Sequence, residues 1–207
     1  MDAAARHGAE ADSGKKEIEF RTSYEGGKVK YYRCVVPLVI LFFFTIACQD
    51  KAARAELDKA TKQSQIEEQN KAVVRQFFEA IDAQNFARMK ELLTPDFILH
   101  YSGPQEDVSG EALMQMVRGY YTAFPDGIHK FEDILAVGNK VVNRTLWEGT
   151  QKTEFQGIPA TGIKVSFYQI GISTVVGGKI KECWVVEDNL GMMTQLGMEL
   201  KPKAPAK

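Results

Sequence analysis

Charge of one sign is what this sequence most lacks: 26 lysines and arginines stand against 27 aspartates and glutamates, a formal net charge of −1 over 207 residues. Without a basic excess there is no electrostatic footprint for nucleic acid or for anionic partners, and nucleic-acid binding is excluded on that ground. Cysteine is scarce as well. Cys34, Cys48 and Cys183 lie too far apart for a zinc knuckle or a CxxC redox pair, and one of the three has no mate. Neither a disulfide framework nor a metal site follows. The apolar run VVPLVILFFFTIA, Val35 to Ala47, has 13 residues, short of the roughly 20 that a membrane-spanning helix needs. What remains is ordinary globular material: 44% hydrophobic residues, enough for one domain of typical size with segments to spare.

The short apolar run suits the core of a signal peptide. Lys30 and Arg33 precede it as a basic region, and it ends Thr45-Ile46-Ala47-Cys48, a small residue just before a cysteine. The ending resembles the bacterial lipobox, with Thr45 in place of the usual leucine. That resemblance implies cleavage before Cys48, a lipid on its thiol, and a protein held outside the cytoplasm on a bacterial membrane. Gln49, rather than Asp, after the cysteine favours the outer membrane where there is one. An uncleaved anchor is the other reading. Met1 to Lys28, with six acids, five bases and no apolar periodicity, does not begin as a signal peptide does, and initiation near Val29 would give the expected leader. Residues 1–48 are therefore read as tail and leader. Residues 49–69, alanine-rich and charged without a continuous apolar stripe, read as a helical or disordered tether.

The folded domain is placed at 70–200. Val73, Phe77 and Ile81 recur every fourth residue with Val74 and Phe78 beside them, predicting a first core helix. Phe86 to Leu93 reads as a second, stopped by Thr94-Pro95. Ser109 is a candidate N-cap for a third, with Glu111 in its first turn. Phe97 to Tyr101 reads as a short strand. Past Phe124-Pro125-Asp126-Gly127 the periodicity turns extended, giving strands at Lys130–Val137, Lys140–Thr150, Lys164–Val176 and Lys179–Asp188. Gly138-Asn139 and Gly177-Gly178 form the tight turns. Helices followed by such a meander predict an α+β domain: three N-terminal helices packed on a curved antiparallel sheet that forms a cone-shaped pocket. In the last strand a period of two puts Ile180, Glu182, Trp184, Val186 and Asp188 on one side. If that side lines the pocket, desolvation raises the pKa of Asp188. If it does not, Asp188 is a turn residue or helix cap before Asn189 and Gly191.

The blocks NKAVVRQFFEAID, LLTPDFILH, AFPDG, FEDILAVGNKVVNRTLWEGT, FQGIPATGIKVSF and CWVVEDNLGMMTQLG resemble, in order and spacing, the SnoaL-like polyketide cyclases, or ester cyclases, of the nuclear-transport-factor-2-like superfamily. The resemblance covers about Asn70 to Gly197 and implies a cone with a deep pocket. It also implies cofactor-free and metal-free aldol ring closure, with Asp188 as general acid/base. By position His100 is the family's early histidine, which orients or polarises substrate or is simply a satisfied strand residue. Arg144 falls on a recurrent arginine, either substrate-binding or paired to a carboxylate such as Glu182 or Glu148. Where the family reads EHW this chain reads Glu182-Cys183-Trp184, so a possible partner of the acid is replaced by a thiol.

The candidate site is then Asp188 and His100 as catalytic groups, with Arg144, Trp184, Tyr120 and Phe124 against a small hydrophobic compound bearing a carbonyl. The other reading is a non-catalytic ligand-binding module of the same fold. Epoxide hydrolase or ketosteroid-isomerase-like chemistry would call for further paired acids or a tyrosine and aspartate in the pocket. Val142, Leu146 and Val185 are candidates for an apolar outer face that pairs two copies into a homodimer.

Overall fold

A computed structural model describes residues 10–101, 107–199 and 201, with the side chains of 10–34 and 41–50 outside that description. The side chain of Cys48 thus lies outside the described residues. The chain divides into two compact units, Met1–Ala60 and Thr61–Lys207. In the first, the described residues are helical, and Val36, Leu38, Val39 and Ile40 are exposed. Among the described residues no helix is long and apolar enough to cross a membrane.

Helix α1 (Glu10–Asp82) supplies the second unit with its first core face: Val74, Phe77, Ala80 and Ile81 are buried, and Val73 and Phe78, expected on the same face, are partly buried against them. It stops at Asp82, and Gln84 turns the chain with a φ of 53°. Asn85 then caps α2 (Phe86–Leu92) by accepting from the Arg88 N–H at 3.0 Å. Strand β1 (Leu93–Tyr101) begins at once, and β2 (Val108–Ser109) pairs back onto it. Ser109 caps α3 (Gly110–Ala123) by accepting from Ala112 N–H at 3.3 Å, the cap expected from sequence. The meander follows as β3 (Ile128–Val137), β4 (Lys140–Thr150), β5 (Lys164–Val176) and β6 (Lys179–Glu187), closed by the short helix α4 (Asn189–Gln195).

The six strands form one curved, unclosed sheet in the order β2-β1-β6-β5-β4-β3, so the α+β architecture is as expected. It differs in one respect: β1 runs parallel to β6. The reason is topological. β1 is separated from the meander by α3, and a strand that returns through a helical crossover can lie parallel to its neighbour, whereas hairpins enforce antiparallel pairing.

The core has two parts. One lies between α1, α3 and the concave face of the sheet, around Val74, Phe77, Val117, Val141 and Ile180. The other is aromatic, with Phe124, Trp147, Phe155 and Phe167 in edge-on and tilted contact at centroid distances of 5.1–5.2 Å. The FQGIPATG segment closes this second part as a small loop around Gln151. That fully buried side chain donates to Ile158 O at 3.0 Å and accepts from the Thr161 backbone N–H at 3.1 Å and hydroxyl at 2.6 Å. A buried amide satisfied this way fixes the loop where an unpaired one would destabilise it.

Candidate active site

Between α1, α3 and the concave side of the sheet lies a cavity of about 110 Å³. Most of its wall is apolar. Phe77, Phe78 and Ile81 come from α1, Leu113 and Val117 from α3, Phe97 and Leu99 from β1. The polar groups on it are few: Tyr101, Tyr120, Tyr121, His129, Gln169, Ser173, Cys183 and Glu187. Among these described residues, Glu187 is the one carboxyl.

How Glu187 reaches the cavity is settled by a bulge. Val175 pairs with Ile180 and Thr174 with Glu182, so Lys181 is an extra residue in β6 with no partner on β5. A single extra residue reverses the side to which every later side chain points. Ile180 faces inward. Beyond Lys181 it is Cys183, Val185 and Glu187 that line the cavity, while Trp184 and Val186 stand 52% and 57% exposed on the convex face.

The expectation that Ile180, Glu182, Trp184, Val186 and Asp188 share one side is therefore corrected, and of the two readings of Asp188 the helix cap is the one observed. Asp188 is exposed and caps α4, accepting from Gly191 N–H at 2.8 Å. Val185, expected on the outer face, lines the cavity for the same reason.

Burial pushes the Glu187 carboxyl up to about 7. Its Oε1 accepts from Gln169 Nε2 at 3.1 Å, and Gln169 is oriented in turn by the Thr145 hydroxyl donating to its Oε1 at 3.3 Å. Tyr101 and Tyr120 are raised above the ordinary phenol range, first by burial and then by the charge of Glu187, so both stay protonated donors. Burial also pushes the Cys183 thiol up to about 11, which leaves it neutral and a poor nucleophile. Its neighbour Ser173 donates to its sulfur at 3.6 Å.

A second polar cluster sits on the same wall. His129 follows the Phe124–Gly127 turn, where a side chain at Gly127 would bring its Cβ within 2.9 Å of the Trp147 ring and 3.2 Å of the Phe124 carbonyl. Only glycine lets β3 start so close to the aromatic cluster. Asp82, the last residue of α1, receives the His129 backbone N–H at 3.0 Å, the His129 Nδ1 at 2.5 Å and the Tyr121 hydroxyl at 2.7 Å.

The other expected site residues are dispersed. His100 points to the convex face, its Nδ1 2.5 Å from Asp107, its Nε2 3.3 Å from Glu182 and its ring stacked on Trp184 at 4.1 Å. Arg144 is on the convex face too. It donates to Asp133 through Nε at 2.8 Å and Nη2 at 2.7 Å, with Glu132 at 3.9 Å, rather than to Glu182 or Glu148. Phe124 is fully buried in the aromatic cluster and is not among the lining residues, whereas Tyr120 is one of them.

The description that fits this arrangement is a family one. The model of the SnoaL-like polyketide cyclases matches residues 71–196. The chain belongs to the SnoaL-like polyketide cyclase family. Among solved structures, this SnoaL-like domain is similar to IdmH of Streptomyces antibioticus, provisionally described as a polyketide cyclase. They share 28% identity at a TM-score of 0.58, over 62% of this chain and 99% of that one. It is also similar to AclR of Streptomyces galilaeus, provisionally described as a hydroxylase, at 25% identity and a TM-score of 0.57, over 62% and 95% of the two chains. A SnoaL-like protein of Jannaschia, at 24% identity and a TM-score of 0.59 over 65% and 96%, shares the fold. No curated protein matches the chain.

Sequence reasoning missed Glu187, His129 and Asp82 in this SnoaL-like site. A signal for Glu187 was present: Ile180 and Val185 are both core-forming apolar residues an odd number of positions apart, which a regular strand cannot bring to one face. Nothing local marked His129 and Asp82, whose pairing joins a helix end to a strand start 47 residues later.

Proposed function

We propose that the protein is a cofactor-free acid/base catalyst acting on a small, largely apolar carbonyl compound, with Glu187 as proton carrier in place of Asp188. The observation that carries this is Glu187, the single carboxyl among the described residues of the cavity wall, held by Gln169 and raised by burial to about 7. A group that titrates near neutrality can take a proton and return it at little cost. In the proposed step the Glu187 carboxylate removes the proton from the carbon beside a carbonyl. The C–H electron pair forms the enolate, whose oxygen accepts a hydrogen bond from Tyr101 or Tyr120. For a ring closure of the kind the family name implies, the enolate carbon attacks a second carbonyl of the same molecule, and the resulting alkoxide takes the proton back from Glu187.

The test is deuterium exchange at the α-carbon of ethyl acetoacetate in D₂O. Glu187→Gln should lose roughly 10²–10⁴-fold in catalysed exchange, while Asp188→Asn retains it. Equal loss in both variants, or loss in Asp188→Asn alone, sinks the assignment. The binding-only reading draws on Cys183, which occupies the position of the family's histidine and leaves β6 without a second proton carrier. Saturable binding of the ester with no exchange above solvent would favour that reading.

Leader, tether and domain at 1–48, 49–69 and 70–200 belong to the same proposal, with lipid on Cys48 holding the domain outside the cytoplasm, on the outer membrane where there is one. The basis is the Ala47-Cys48 ending of the apolar run. Intact mass of detergent-extracted protein should show loss of Met1 to Ala47 and gain of acyl chains, and an unmodified full-length chain would refute it. We also propose a homodimer through the convex face. Ile170, Ile172, Trp184 and Val186 stand 42–57% exposed there, with Val142 and Leu146 beside them. Sedimentation giving only monomer at micromolar concentration would refute the dimer.

A further inference from the structure

His129 has more order than a wall residue needs. Its side chain is 7% exposed, and Phe78 packs edge-on against the ring at 4.8 Å and 76°. Asp82 ties together the ends of three elements, because its two oxygens collect a backbone N–H from β3, a hydroxyl from α3 and the ring itself. The N–H and the Tyr121 hydroxyl are donors there, so the carboxylate acts as an acceptor, and His129 Nδ1 meets it with a hydrogen in either charge state of the ring. The tautomer is thereby fixed, as it is wherever a carboxylate holds one imidazole nitrogen. Nε2 is left with no hydrogen-bond partner among the described residues, on a ring that lines the cavity.

We propose that His129 is a second ligand-contacting residue, whose Nε2 accepts a hydrogen bond from a hydroxyl of the bound compound, with Asp82 and Tyr121 as positioning residues. The proposal rests on the reading of the cavity as a small-molecule site and narrows the ligand to a hydroxylated carbonyl compound. Glu187 on β6 and His129 on β3 are separated in the sheet by β5 and β4, so one ligand meets them at different ends. Trp147 and Tyr120 line the same wall. An aromatic or otherwise flat apolar body with a carbonyl at one end and a hydroxyl at the other satisfies both groups.

The experiment uses the full chain, labelled with ¹⁵N, and two probes that differ only in the donor: para-hydroxyacetophenone and para-methoxyacetophenone. Long-range ¹⁵N–¹H correlations at pH 8 read each ring nitrogen of His129, and quenching of tryptophan fluorescence reads binding. We expect Nδ1 protonated and Nε2 bare in the free protein, with the Nε2 resonance moving on adding the hydroxy probe and staying in place with the methoxy probe. Asp82→Asn and His129→Phe should each lower the preference for the hydroxy probe over the methoxy probe on the order of tenfold, the worth of one hydrogen bond. If both probes bind equally and Nε2 does not respond, the role of His129 is overturned while the cavity reading stands. If neither probe binds, both fall. A bare Nδ1 in the free protein overturns the proposal by itself, and this arm needs no variant to fold.

Discussion

Replacing Glu187 by glutamine should make the protein more stable, and more so the higher the pH. Burial raises this carboxyl from 4.5 to about 7. Between those two values the folded state holds a proton that the unfolded chain has released, so wild-type stability falls as pH rises through the interval. Below pH 4.5 the group is protonated in both states and contributes nothing; above about 7 its full penalty is present. At roughly 1.4 kcal/mol per pH unit, the rise corresponds to about 3 kcal/mol. The amide that Glu187→Gln introduces is close to isosteric with the protonated acid and keeps an acceptor for Gln169 Nε2, so the variant removes the penalty without opening a void. Urea titrations of both proteins from pH 5 to pH 9 should give curves that nearly meet at the acid end and diverge to about 3 kcal/mol, in favour of the variant, at the alkaline end. Parallel curves, or a variant less stable at pH 8, would refute the placement of Glu187 in a desolvated wall. Such a gain in stability at the expense of activity is the usual mark of a residue kept for chemistry.

Asp188→Ala removes the side chain that caps α4 and should destabilise the protein by about 1 kcal/mol in the same titrations, with α-carbon exchange intact. Loss of exchange would return the acid to Asp188. Gly149→Ala places a Cβ 2.7 Å from the Trp147 ring and 3.1 Å from Phe124, both locked in the aromatic cluster; a loss of about 1–3 kcal/mol is expected, and a neutral result would mean that cluster is loose. Arg144→Ala breaks an exposed, solvent-screened pair with Asp133 and should leave stability nearly unchanged, without altering exchange; a large drop in exchange would place the arginine in the site after all.

The fold was legible wherever the signal was local. The spacing of Val73, Phe77 and Ile81 with Val74 and Phe78 beside them, the Ser109 cap and the paired turns at Gly138 and Gly177 each specify their own structure within a few residues, and the observed elements follow them closely. The parallel seat of β1 beside β6 was not legible, because it depends on a crossover and no residue in β1 encodes it. The site divides along the same line. Tyr120 lies on the inward stripe of α3, which periodicity reveals. Glu187 and Asp188 are adjacent, and which of them faces inward depends on Lys181 near the start of the same strand, where one irregularity offsets an otherwise regular alternation. Asp82 and His129 become partners only once α1 and β3 are packed. His100 and Arg144 drew attention through residue type and motif position, and both belong to the side-chain contacts of the convex face.

The bulge at Lys181 makes the identity of the buried acid a matter of counting. A chain that kept this lysine but paired it regularly with Thr174 would have Trp184, Glu187, Asp188 and every other letter of its final motif unchanged, yet it would turn Asp188 inward, expel Glu187 to solvent and bury Trp184 where Val185 now stands. Two relatives with identical motifs can therefore present different carboxyls to their ligands. An alignment that scores letters cannot tell the two apart, because whether Lys181 is paired or bulged, and not the spelling of the motif, decides which acid is inside.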